Sequence, residues 1–155
     1  MHSKTEKLTK LIVTFFYLGY LPYIPGTFGS LAGVVIFLFL GKSSVAVILA
    51  TIFITLLGFI FSGLAENVFS RKDPSCVVID EVSGMLLCYC FVKISLFNVI
   101  VGFLLFRIMD IIKPFYIKRL EKLKGSLGIM LDDLAAGIYA VIFLKLITVL
   151  IQINN

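Results

Sequence analysis

Histidine is almost missing from this chain of 155 residues; His2 is its one copy. A histidine nucleophile assisted by a second histidine acid is therefore excluded. Tryptophan is absent, and the three cysteines, Cys76, Cys88 and Cys90, contain no Cys-x-x-Cys pair and leave an odd count, so they form no secreted disulfide framework. None of them is followed six positions later by arginine, which removes the usual cysteine-phosphate loop, and no Asp-x-Asp nucleophile motif occurs. Charge is scarce as well. Charged residues make up 15% of the chain against 60% hydrophobic ones, and the mean hydropathy is +1.09. An ordinary soluble domain cannot hide that much apolar surface, so a membrane is the expected solvent.

The length suits one domain, residues 1–155. Its basic start followed by an apolar stretch resembles the first parts of a signal peptide, but no clean small-x-small cleavage site follows, and the segment is expected to stay in the mature chain. Residues 11–21 are apolar but too few to cross lipid, where roughly 20 are needed. A helix is predicted over 28–40, with Thr27 as its cap after Pro25-Gly26, and the clearest spanning helix over 45–64. A polar stretch, 65–76, follows. The final helix is predicted over 133–151.

The apolar stretch 77–106 decides the architecture. A single helix through it would put Asp80 and Asp110 about 45 Å apart. Lys93, Ser95 and Asn98 interrupt the pattern, so a helical hairpin is predicted, 78–92 and 96–113, with Lys93 at its tip and Pro114 ending its second arm. The fold class expected is all-α, a compact polytopic membrane bundle with a central hairpin and short helices. In that topology every basic residue except Lys42, Lys93 and Lys145 falls on one side, together with all nine acids, and the positive-inside rule makes that side cytoplasmic.

The acids then form a constellation. Asp80 and Glu81 open one helix, Asp110 closes the next, and Asp132 and Asp133 open the last. A structural reading makes them caps plus an ion pair, because Arg107 and Lys113 each lie three residues from Asp110. Acids at the edge of lipid carry a desolvation cost, however, and a hard divalent cation such as Mg²⁺ takes carboxylate oxygens, water and substrate phosphate as ligands. The five carboxylates are thus candidate metal ligands and catalytic groups, with the general base open among them. Gly84 and Gly137, each about one turn beyond an acid, would let the helices approach closely.

Anion donors occur in two places. The run Pro25-Gly26-Thr27-Phe28-Gly29-Ser30 leads into a helix N-terminus, where Thr27 and Ser30 are candidate substrate-binding residues, and Gly125-Ser126-Leu127-Gly128 is a second flexible segment. Arg107 and Lys113 are the cations assigned first to the site. An anionic phospholipid is the expected partner; nucleic acid is not, since the basic residues accompany membrane segments. The oligomeric state is open.

Four stretches carry a family resemblance: 22–30 (PYIPGTFGS), 79–85 (IDEVSGM), 106–114 (FRIMDIIKP) and 128–137 (GIMLDDLAAG). In this order they resemble phosphatidylglycerophosphatase A, a bacterial membrane enzyme that removes the terminal phosphate of phosphatidylglycerophosphate. The resemblance implies a compact helical membrane fold, a site facing the cytoplasm, Mg²⁺ dependence, and release of phosphatidylglycerol and phosphate. With histidine, cysteine-loop and Asp-x-Asp nucleophiles absent, attack by a metal-activated water is the simplest route, and the expected location is a multi-pass place in the bacterial cytoplasmic membrane. It carries the functional roles to Asp80, Glu81, Arg107, Asp110, Lys113, Asp132 and Asp133. A small cation-binding transport or channel subunit would use the same acids, but needs them along a continuous polar path.

Overall fold

The computed structural model describes residues 3–72, 74–114 and 116–153, and every regular element among them is helical. The readings that involve His2 and Asp73 lie outside the described residues. Helix α1, Lys4–Val13, is capped by the Ser3 hydroxyl, which accepts from the Glu6 amide. It therefore begins seven residues before the apolar stretch predicted at 11–21. That stretch breaks after Val13, where Phe15, Phe16 and Tyr17 all adopt positive φ and lead into a 3₁₀ turn, Leu18–Tyr20. Helix α2, Pro25–Leu40, starts with proline at its first turn, a position where the missing N–H costs nothing. Thr27 is consequently inside the first turn, not its cap; the residue at the cap is Ile24.

Ser43 caps α3, Ser44–Phe69, which runs five residues beyond the predicted end at 64, into the polar stretch. Its 26 residues span about 39 Å. Helices α4, Ile79–Tyr89, and α5, Leu96–Ile112, are the two arms of the predicted hairpin, with the exposed Lys93 in the turn between them. The Ser95 hydroxyl caps the second arm at the Asn98 amide, and the Asn98 side chain donates to the Lys93 carbonyl at 2.9 Å. These polar residues interrupted the apolar pattern because they build the turn. A single turn of helix, α6, Ile117–Leu120, precedes α7, Ser126–Ile153. Helix α7 begins seven residues earlier than predicted, so Gly128 is helical and the proposed flexible segment reduces to Gly125, at φ 62°.

Helix α4 is the axis of the packing. Nine of its 11 residues are buried, against α2, α3, α5 and α7. Tyr89 ends it by stacking on Phe37 of α2 at 4.4 Å between ring centres and donating its hydroxyl to the Val99 carbonyl of α5 at 2.6 Å. The closest approach is to α7, where a Cβ on Gly84 would stand 2.5 Å from the Asp133 carbonyl oxygen and one on Gly137 would strike the Gly84 carbonyl. Only two residues without side chains permit that crossing.

Helices α3 and α7 are long and apolar enough to cross a membrane. Leu49, Phe53, Leu56 and Ile60 on α3, and Ile142, Leu146, Val149 and Leu150 on α7, are each more than half exposed. A soluble core helix would bury such residues, so these faces indicate association with lipid. The crossing makes a sharp prediction. Gly84→Ala should lower stability by about 1–3 kcal/mol through overpacking, while Gly63→Ala, whose added Cβ meets nothing closer than 3.5 Å, should hold or raise it; thermal unfolding in detergent reads both.

Candidate metal and phosphate site

The α4–α7 crossing sets Asp80 and Glu81 at the start of α4 beside Asp133 in the second turn of α7. One carboxylate oxygen from each of the three lies within 4.8 Å of the others. Asp80 and Asp133 are 8% and 3% exposed. Asp80 Oδ1, Glu81 Oε2 and Asp133 Oδ2 are buried with no hydrogen-bond donor. Three converging carboxylates, each with a buried oxygen that has no donor, repel one another when ionised. A divalent cation with oxygen preference fits this donor set, which can hold such an ion.

Two cation–carboxylate pairs border the cluster. Arg107 Nη1 pairs with Asp110 Oδ2 one helical turn away, and also donates to Ser30 Oγ at 3.2 Å, while Ser30 donates its own proton to the Gly26 carbonyl at 2.9 Å. Ser30 thus ties α2 to the guanidinium. It is fully buried and serves as a support for Arg107, not as a lining residue of the cavity below. Lys113 is not the second partner of Asp110. It caps α5 in the left-handed region, φ 47°, directly before Pro114, and this turn redirects its ammonium to Asp132 Oδ2 at 2.7 Å and Glu121 Oε2 at 3.6 Å. Burial pulls the Lys113 ammonium down, but the hydrogen bond to Asp132 and the charges of Asp132, Glu121 and Asp133 raise it above the ordinary lysine range. It stays cationic.

The carboxylate cluster and the two cations with their aspartate partners face a cavity of about 390 Å³. Asp80, Glu81, Arg107, Asp110, Lys113, Asp132 and Asp133 line it, with Thr27 at the N-terminus of α2 and Pro74 and Ser75 from the loop before α4. One pocket therefore offers clustered carboxylates for a cation and two cations for an anion, the pairing that a metal-assisted phosphate reaction needs.

A model of the family described as PgpA, phosphatidylglycerophosphatase A, matches residues 11–148. The chain belongs to this family. A Bacteroides thetaiotaomicron relative, described provisionally as a phosphatidylinositol-3-phosphatase, is 36% identical over 88% of this chain and 91% of its own. Phosphatidylglycerophosphatase A of Haemophilus influenzae is 37% identical over 76% of this chain and 75% of its own, and that of Escherichia coli 31% over 77% and 72%. No solved structure matches. Membership in a phosphatase family supports a hydrolase activity.

Within this phosphatidylglycerophosphatase A family member, the five predicted carboxylates separate into two groups. Asp80, Glu81 and Asp133 cluster; Asp110 and Asp132 are engaged by Arg107 and Lys113. Asp132 and Asp133 do not open their helix, as the sequence suggested, but lie two turns inside it, so no free backbone donors from a helix start reach them. Instead, the Asp133 amide donates to Asp132 Oδ1 at 3.1 Å. Glu121 was missed by the sequence reading; it is exposed, and only its proximity to Lys113 distinguishes it from a solvent-facing acid. Asp133→Asn should weaken Mn²⁺ binding by about tenfold or more, as loss of a metal-orienting group commonly does, with helical content unchanged; calorimetric titration of the purified protein measures it.

Proposed function

We propose that this chain is a Mg²⁺-dependent phosphatidylglycerophosphatase that hydrolyses the terminal phosphomonoester of phosphatidylglycerophosphate to phosphatidylglycerol and inorganic phosphate. The observation that carries this reading is the donor-free meeting of Asp80, Glu81 and Asp133 in the same cavity as Arg107 and Lys113. Asp80, Glu81 and Asp133 would hold the ion, with Asp110 and Asp132 beside them. When bound, Mg²⁺ supplies charge neutralisation at phosphate oxygens and a lowered pKa for water.

The residues themselves do the rest. Arg107 and Lys113 would bind the phosphate dianion; both line the cavity, and they pair there with Asp110 and Asp132. Thr27 stands at the N-terminus of α2, where a hydroxyl and the helix dipole favour an anion. In the reaction a water oxygen bonds to phosphorus as the bond from phosphorus to the glycerol oxygen breaks. A carboxylate of the set accepts one proton of the water, and that proton is passed on to the departing glycerol oxygen, which leaves as an alcohol. The protein would be a multi-pass component of a bacterial cytoplasmic membrane, with α3 and α7 crossing fully, the α4–α5 hairpin entering from the cytoplasmic face, and the basic side of the molecule in the cytoplasm.

The Bacteroides relative makes phosphatidylinositol 3-phosphate the natural competing substrate. Purified protein should release phosphate from phosphatidylglycerophosphate in preference to phosphatidylinositol 3-phosphate, lose the activity in EDTA and regain it with Mg²⁺. Asp80→Asn should lower kcat by about 100-fold or more. Faster turnover of the inositol lipid would reassign the substrate, and lipid binding without any phosphate release would reject the enzyme reading.

A further inference from the structure

An apolar groove of about 200 Å³ lies between α2 and α5, the same two helices that bring Thr27, Arg107 and Asp110 to the polar cavity. Its walls are Leu31 and Val34 from α2 and Ile100, Phe103 and Leu104 from α5. The groove begins one turn below the contact between Ser30 and Arg107. From Leu104 to Ile100 it runs about 6 Å further from the carboxylates. One exposed apolar face of α5 runs from the groove to the cavity. Ile100, Leu104, Ile108 and Ile111 follow at helical spacing, all are between 46% and 71% exposed, and Ile111 lines the cavity itself. The half-exposed Ile24, at the cap of α2, also lines the cavity.

Resting on the lipid-phosphatase reading above, we infer that the α2–α5 groove holds an acyl chain of the substrate, so that the lipid enters sideways between these helices. A phosphate bound by Arg107 and Lys113 sits among polar side chains, and the remainder of a phospholipid must leave through an apolar exit. The exposed stripe from Ile111 through Ile108 to Leu104 offers that exit toward the groove, whereas the loop side of the cavity is built by Pro74, Ser75 and Val77. The occupant is one lipid tail. The exposed apolar residues of α3 and of the later turns of α7, by contrast, do not line the carboxylate cavity.

Two measurements on the full chain in phosphatidylcholine vesicles test this. Phosphatidylglycerophosphate carrying a diazirine in its acyl chain should label Leu31, Ile100 or Leu104, and unlabelled phosphatidylglycerophosphate, but not added phosphatidylcholine, should displace it. Labelling spread over α3 and α7, or displaced equally by phosphatidylcholine, would overturn the inference. So would efficient disulfide formation between two Leu104→Cys chains, because a second copy would then cover the groove. In the kinetic arm, Leu104→Trp should reduce the ratio of kcat/KM for a long-chain substrate to that for a short-chain analogue by about tenfold, through KM, while Leu49→Trp on the α3 lipid face leaves the ratio unchanged. An unaltered ratio in the groove variant rejects the subsite. If the wild-type chain releases phosphate from neither lipid, the enzyme reading fails, and the labelling result still decides whether the groove binds the tail.

Discussion

Mutual repulsion among Asp80, Glu81 and Asp133 is the constraint on which the site depends. One oxygen of each lies within 4.8 Å of the others, and each carboxylate has a buried oxygen with no hydrogen-bond partner. Such an arrangement is unfavourable by itself and persists only where packing elsewhere enforces it. The enforcement comes from the contact of Gly84 with the backbone of Asp133, and of Gly137 with the backbone of Gly84. The feature that brings α4 and α7 together is thus the same one that makes the carboxylates collide, and cation binding is the natural relief.

Around this cluster the protein distributes its cations with little redundancy. Arg107 is fixed from two directions, by Asp110 on its own helix and by Ser30 on α2, which the Gly26 carbonyl holds in turn. Lys113 is fixed by a backbone conformation that lysine seldom adopts, together with Asp132 and Glu121. A left-handed residue costs about 1–2 kcal/mol, and a partly buried ion pair with charge-assisted hydrogen bonding offsets a cost of that size. Both cations are therefore held extended before any anion arrives, which reduces the entropy lost on binding.

The hairpin turns a short chain into a deep site. Helix α4 has only 11 residues, about 17 Å, too few to cross a bilayer of roughly 30 Å. It is sheltered instead by α2, α3, α5 and α7, which allows polar groups at its start to be buried without facing lipid. Asp80 and Asp110, 30 residues apart in sequence, line one cavity because the chain reverses near Lys93. That reversal is the difference between one shared cavity and two unrelated acids.

Much of this was legible in the residue pattern. The apolar content demanded helices and lipid, the polar residues 93, 95 and 98 marked the reversal, and Arg107 with Asp110 at a three-residue spacing announced an ion pair. Local signals were enough there because helix periodicity, caps and breakers act over a few residues. They failed where long-range packing decides the boundary: α7 extends seven residues before Asp133 because Gly128 packs against the backbone near Leu123 and Ile129 and Met130 enter the core. The sequence by itself determined the helical class, the apolar surface and the supply of acidic and basic groups. Only the tertiary structure decided which carboxylates cluster and which are neutralised. Lys113 chose Asp132 over Asp110 through one left-handed turn, and the orientation of such a turn depends on the partners that meet it in space.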